Sequence, residues 1–154
     1  MYLALCSLSN NQLGEAGGAA LGKALEQNIA SLEGGRHGLM FGSGLAAQAA
    51  CIHLLQSGDH VVVSDDVYGG TYRQFDKVFK QFGITYTRAD MTDLNAAEAA
   101  FTAKTRMVWI ETPTNPLLKV IDIGAVARLA KSKGAITGLE GGSGLPSSHY
   151  HIGN

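Results

Sequence analysis

An α/β fold built on a mostly parallel sheet follows from three features of the sequence. From residue 37 onward, short apolar or β-branched runs alternate with stretches of helical periodicity, the pattern of repeated βα units. HVVVSD (60–65) sets three valines in succession, which suits a strand covered on both faces. The joints carry turn chemistry, with Ser57-Gly58-Asp59 before that strand and Gly83 closing the helical stretch after it. With 154 residues, 45% of them hydrophobic, the chain suits one compact domain rather than two.

HGLMF (37–41) reads as a short buried strand, and a helix follows from Ser43 to about Gln56. After the valine strand, YRQFDKVFKQFG (72–83) places Tyr72, Phe75, Val78, Phe79 and Phe82 on one helical face. ITYTRAD (84–90) is expected as a strand, LNAAEAAF (94–101) as a helix and MVWIET (107–112) as a strand. ETPTNP (111–116) must be a loop, because two prolines so close together exclude regular structure. IDIGAVARLAKSKG (121–134) reads as the last helix, and AIT (135–137) begins another strand. Residues 138–154, GLEGGSGLPSSHYHIGN, are rich in Gly, Ser, Pro and His and are expected to be an irregular tail unable to complete a sheet strand.

The first residues follow a different pattern. YLALCSLSNNQLGEAGGAALGKALEQN (2–28) resembles one leucine-rich repeat of the ribonuclease-inhibitor type, at Leu3, Cys6, Leu8, Asn11, Leu13, Gly14, Gly17, Leu21, Ala24 and Leu25. A single repeat cannot bury its own apolar face, and about three are needed for stability. The segment is therefore expected to give an amphipathic helix over 14–34 behind a disordered arm, with residues 1–23 an atypical addition to the domain.

Composition removes several classes of function. A net charge of −1 with no basic block argues against nucleic acid or an anionic membrane as partner. No apolar stretch approaches the roughly 20 residues of a membrane helix, and MYLALCSLS lacks the basic start and cleavage site of a signal peptide. Cys6 and Cys51 make neither a disulfide framework nor a metal set. His37, His53 and His60 stand singly, and His149 and His151 only flank Tyr150, so no metal site is expected. The expectation is a reduced, soluble, cytoplasmic protein.

Three motifs carry chemistry. Gly42-Ser43-Gly44-Leu45 leads from an apolar run into a helix start, where unpaired N–H groups and the helix dipole favour an anion. Taken alone, the pattern is as well explained by a tight turn. Asp65-Asp66-Val67-Tyr68-Gly69-Gly70-Thr71 follows the valine strand, at the sheet edge where ligands of open α/β folds bind. Tyr68 can offer its ring to a planar heterocycle or simply pack at a helix start; Asp65 and Asp66 read best as helix-capping residues. Glu111-Thr112-Pro113-Thr114-Asn115-Pro116 holds Asn115 before a proline, presenting an amide donor at a fixed place. A phosphate seat, an aromatic platform and an amide donor on one edge match the phosphate, flat ring and phenolic oxygen of pyridoxal phosphate.

ALEQNIASLEGG (24–35), FGSGLAAQAA (41–50), GDHVVVSDDVYGGTYRQF (58–75) and VWIETPTNPLLKVIDI (108–123) together resemble the cystathionine γ-lyase, β-lyase and γ-synthase family of Cys/Met metabolism. The resemblance covers residues 24–137 and implies an incomplete three-layer, mostly parallel sheet, part of the large domain of a fold-type I PLP-dependent transferase. It implies pyridoxal 5'-phosphate as cofactor, held by the amides of Gly44 and Leu45 with Ser43 in support. It implies that Tyr68 stacks on the pyridine ring and assists proton transfer, that Asn115 bonds the phenolic oxygen, and that Glu111 supports the Asn115 loop. The implied substrates are sulfur amino acids cleaved by β- or γ-elimination, in homo-oligomeric enzymes.

The sequence also departs from that family. Where family members read like YSRSGNPT, AGGAALGK (16–23) stands here. After GAIT the family continues VVDNTF, whose Asp pairs with the pyridine nitrogen, and later supplies the Schiff-base lysine in a Ser-x-x-Lys segment. None of the seven lysines of these 154 residues sits in that context, and Lys119, next to the proline loop, reads as an ordinary surface residue. GLEGGSGLPSS (138–148) follows GAIT here, so with both that Asp and that lysine absent this chain alone is expected to be catalytically incomplete, a non-covalent cofactor binder at most, and prone to self-association. The competing expectation is a non-catalytic interaction protein, with the repeat-like arm on a degenerate scaffold.

Overall fold

Val61, Val62 and Val63 set the frame of the computed structural model, which describes residues 2–4, 14–32, 34–141 and 149–153. They lie in β2 (His60–Ser64), a strand buried along its whole length. The other strands are β1 (Tyr2–Ala4), β3 (Thr85–Ala89), β4 (Thr105–Thr112), β5 (Ile136–Gly141) and β6 (His149–Gly153). The sheet order is β1-β6-β5-β4-β2-β3. β2 runs parallel to β3 and β4, and β4 runs parallel to β5 with Trp109 opposite Gly138. β6 lies antiparallel to β5, and β1 antiparallel to β6.

Alternation along the strands divides the core into two layers. Val61, Val63, Met107 and Trp109 pack with Ala47, Cys51 and Ile52 of α2 (Gly44–Ile52) and with Phe75 and Phe79. Val62, Val108 and Ile110 face the other way, onto Ala97 of α4 (Leu94–Ala99) and Val126 and Ala130 of α5 (Ile123–Ser132). This helix–sheet–helix arrangement is the three-layer α/β architecture that the valine run requires. At the N-terminal end of β2, buried His60 bridges Thr105 (2.8 Å) and Thr87 (2.9 Å), and burial lowers its pKa.

Several elements differ from the sequence reading. Residues 37–41 form no strand; Met40 N–H donates to Glu26 of α1 (Gly14–Leu32) at 2.9 Å, so this run lies along a helix instead of a sheet. A short apolar run cannot distinguish those two environments. The helix expected to reach Gln56 ends at Ile52. The helix expected from Tyr72 starts earlier as α3 (Gly69–Arg73), widens to a π turn over Gln74–Val78 and tightens to a 3-10 turn over Phe79–Phe82. Gly83 closes it in the left-handed region (φ 81°), as its position suggests.

The end of the chain is also more regular than composition suggests. β5 continues past Thr137 to Gly141, and His149–Gly153 is a strand where an irregular tail is expected. The glycine that reads as a breaker is needed: a Cβ on Gly138 would stand 2.6 Å from Trp109 Cε3, so the buried indole lies directly on bare backbone. At the start, Tyr2–Ala4 forms a strand rather than a disordered arm, and α1 holds Gly14, Gly17, Leu21, Ala24 and Leu25. Cys6, Leu8, Asn11 and Leu13 of the repeat-like pattern lie outside the described residues. No helix among the described residues is long and apolar enough to cross a membrane.

Gly138→Ala is expected to destabilise the fold by about 1–3 kcal/mol through overpacking against Trp109. Gly22→Ala, where an added Cβ meets nothing within 4 Å, should instead stabilise by roughly 0.5–1 kcal/mol through helix propensity. Urea unfolding of the two variants checks both signs.

Candidate functional site

The C-terminal ends of the parallel strands β2, β3, β4 and β5 share one edge of the sheet, where the βα loops gather. α2 starts at this site. Ser43 caps it in extended conformation, its Oγ accepting Ala46 N–H at 3.2 Å. Gly44 and Leu45, the first two helical residues, direct their N–H groups out of the helix end, because no preceding turn can accept them. One turn further in, the buried Gln48 amide has no hydrogen-bond partner among the described residues.

Tyr68 sits between β2 and α3. Its ring leans over Gly70, where an added Cβ would lie 2.5 Å from Tyr68 Cε1 and 3.0 Å from Leu45 Cδ2. Only a bare backbone leaves room for the ring there, and the same contact places Tyr68 beside the start of α2. Gln74 fastens the two helices, donating to the Leu45 carbonyl at 2.7 Å. The tyrosine is 46% exposed, so part of its ring remains open to a ligand.

Glu111, at the end of β4, is buried and accepts Tyr68 N–H at 2.8 Å. Its register neighbour on β5 is Glu140, also buried, which accepts Thr71 Oγ1 (3.1 Å) and Trp109 Nε1 (3.4 Å). Burial above all pushes the Glu111 carboxyl up to about 8. The charges of Glu140 and Asp66 add to this, and the Tyr68 N–H opposes it. Glu140 lies in none of the three motifs, yet it is the third residue after Gly134-Ala135-Ile136-Thr137, so an acidic residue does stand at the place of the Asp in a VVDNTF continuation.

Asn115 is half-buried in the loop between β4 and α5. That loop turns about Thr114, which is fully buried and donates to Asp66 Oδ2 at 2.5 Å. Leu117 N–H donates to the same oxygen at 2.8 Å, and Lys119 N–H donates to Thr114 Oγ1 at 2.9 Å. Asp65 and Asp66 are thus not helix caps: Tyr68 occupies the α3 cap position without a side-chain bond, and both carboxylates face the proline loop. Nor is Lys119 an ordinary surface residue, because its ammonium lies 2.8 Å from both Asp65 and Asp90.

Ser43, Gly44, Leu45, Tyr68 and Glu111 therefore form one assembly. The loop that carries Asn115 is tied to it by Asp66, two residues before Tyr68, which accepts Thr114 Oγ1 and Leu117 N–H; Asn115 itself makes no hydrogen bond to the others. An anion-accepting helix end, an open aromatic ring and a carboxyl pair fit a flat, phosphorylated heterocycle. Among the described residues, no three His, Cys, Asp or Glu side chains could hold a metal ion. Burial pushes the Cys51 thiol up to about 12, which leaves it a poor nucleophile.

The sequence profile of the family described as Cys/Met metabolism PLP-dependent enzymes matches residues 18–142. Cystathionine beta-lyase of Coxiella burnetii (strain RSA 493 / Nine Mile phase I) is 51% identical over 114 residues, covering 73% of this chain and 30% of its own. Cystathionine gamma-lyase of Dictyostelium discoideum is 52% identical over 113 residues, 73% of this chain and 29% of its own. The crystal structure of cystathionine gamma-lyase from Lactobacillus plantarum complexed with L-serine superposes with a TM-score of 0.77 at 33% identity. That alignment covers 95% of this chain and 45% of the other. The chain thus spans about 30% of the length of the two curated relatives.

A carboxyl held near 8 in the fold and near 4.5 when free binds more protons folded than unfolded between those values. Its contribution to stability is complete below about pH 4.5 and lost as pH rises through 8. Glu111→Gln should therefore unfold at higher temperature than the wild type at pH 8.5. The gap should close towards pH 4.5 in melts across that range.

Proposed function

The chain belongs to the family of Cys/Met metabolism PLP-dependent enzymes, and we propose that its loop edge is the pyridoxal 5'-phosphate seat of a carbon–sulfur lyase acting on cystathionine-type amino acids. The observation that carries this reading is the Tyr68 ring lying over Gly70 and beside Leu45, at an open helix start. In this reading the amides of Gly44 and Leu45, with Ser43, bind the phosphate. The Tyr68 ring covers one face of the heterocycle, and its hydroxyl assists proton transfer. Asn115 donates its amide to the phenolic oxygen. Glu111 fixes the Tyr68 backbone through the 2.8 Å hydrogen bond, and Glu140, by its place in β5, serves the ring nitrogen in the role of the family's Asp. When bound, pyridoxal phosphate supplies an electron sink for the bonds at the substrate α-carbon.

Residues 24–137, extended by β5 to Gly141, are the proposed cofactor-binding part, and residues 1–23 an added arm. The exposed apolar side chains of Leu32, Leu117, Leu118 and Val120 are the proposed self-association surface. In this reading the 154 residues by themselves bind the cofactor non-covalently and cleave no substrate. Of its lysines, Lys119 is held by two aspartates, Lys77 pairs with Asp76 and Lys133 with Glu98.

Trp109, the one tryptophan of the chain, reports occupancy of the site. Titration with pyridoxal 5'-phosphate should quench its fluorescence saturably, and Tyr68→Ala or Asn115→Ala should weaken the affinity by roughly tenfold. Cystathionine should not be cleaved by the saturated chain. Quenching that ignores both substitutions, or turnover at an ordinary enzyme rate, contradicts the proposal.

A further inference from the structure

We propose that Lys119 is a positioning residue, whose ammonium draws together the loops after β2, β3 and β4 and so fixes where Asn115 stands relative to Tyr68. Asp65 and Asp90 follow the adjacent parallel strands β2 and β3, and Asp65 N–H continues the ladder by donating to the Ala89 carbonyl at 2.9 Å. Two carboxylates at neighbouring strand ends repel one another. Lys119 Nζ lies 2.8 Å from each, and its side chain is only 25% exposed. Asp90 is further held by Thr92, which donates both its N–H (3.0 Å) and its hydroxyl (2.6 Å). One lysine of the third loop thus bridges the carboxylates of the first two.

The clasp reaches Asn115 through the backbone. Thr114 N–H donates to the Lys119 carbonyl at 3.0 Å, and Lys119 N–H returns to Thr114 Oγ1 at 2.9 Å, so the residue preceding Asn115 is locked to the lysine. Between them Leu118 sits in the left-handed region, with φ 55° and its side chain mostly exposed. A branched apolar residue does not choose that conformation in water. The loop adopts it because Asp66 holds one side, through Thr114 and Leu117, and Lys119 holds the other. A partly exposed ion pair adds little to global stability, so the clasp works on loop geometry rather than on folding.

Its effect on cofactor affinity rests on the function proposed above; its effect on the loop does not. In Lys119→Met, hydrogen exchange at the amides of Thr114, Leu117, Leu118 and Lys119 should accelerate at least tenfold, with the core strands unchanged. Lys119→Arg, whose planar fork can bridge two carboxylates, should restore slow exchange. Raising salt should speed the same amides in the wild type but not in Lys119→Met. Pyridoxal 5'-phosphate should bind Lys119→Met several-fold more weakly, with no further loss when Lys119→Met is added to Asn115→Ala, because both act through one side chain. Unchanged exchange at these amides in a folded Lys119→Met overturns the proposal, and so do additive affinity losses. A wild type that binds no pyridoxal 5'-phosphate refutes the cofactor reading alone, leaving the exchange measurement to decide for Lys119.

Discussion

The parallel pairing of β2 with β4 is the constraint on which the remaining structure depends. Val61, Val62 and Val63 are opposed in turn by Met107, Val108 and Trp109, so side chains from two strands enter the same two core layers. A slip of one residue would send each set to the wrong face. Because register is fixed there, the ends of both strands are fixed as well, and Tyr68 and Glu111 meet within hydrogen-bonding distance although 43 residues apart. The loops of the site inherit their positions from buried hydrophobic pairing beneath them.

On that frame the site concentrates features that would be costly elsewhere. Glu111 and Glu140 are two buried carboxyls on neighbouring strands, and one of them holds its proton near neutral pH. Buried, unbalanced carboxyls lower stability unless they serve a ligand or are satisfied locally. Here Thr71 and Trp109 bond Glu140, and the Tyr68 N–H bonds Glu111. In α2 the buried Gln48 amide lacks a partner among the described residues, and in the loop after β4 Leu118 takes a positive φ of 55°. Such departures from good packing and pairing cluster where a protein holds a ligand.

Much of this was legible in the sequence because it is local. The valine run, the glycine at 83 and the proline loop each carry their signal within a few residues, whereas of the five-residue face expected over 72–82 only Phe75 and Phe79 are buried and Tyr72, Val78 and Phe82 are exposed. What escaped depends on distant partners. HGLMF looks like a strand until Glu26 of α1 is seen to take Met40. Gly138 looks like a breaker until Trp109 is seen to need its backbone. Lys119 looks like a surface lysine because Asp65 and Asp90 lie 54 and 29 residues away. The positions of Ser43, Tyr68, Glu111 and Asn115 at strand and helix ends could be read from turn residues; the contacts that orient them could not.

In the proposed function the Gly44 and Leu45 amides, Tyr68 and Asn115 stand in place before the ligand arrives. A crystal structure of the chain grown with pyridoxal 5'-phosphate would test it in one step. The phosphate is expected at the Gly44 and Leu45 amides, the ring against Tyr68 and the phenolic oxygen at Asn115, with the loop around Thr114 unmoved. Phosphate density elsewhere, or a Tyr68 ring turned away from the ligand, would contradict it.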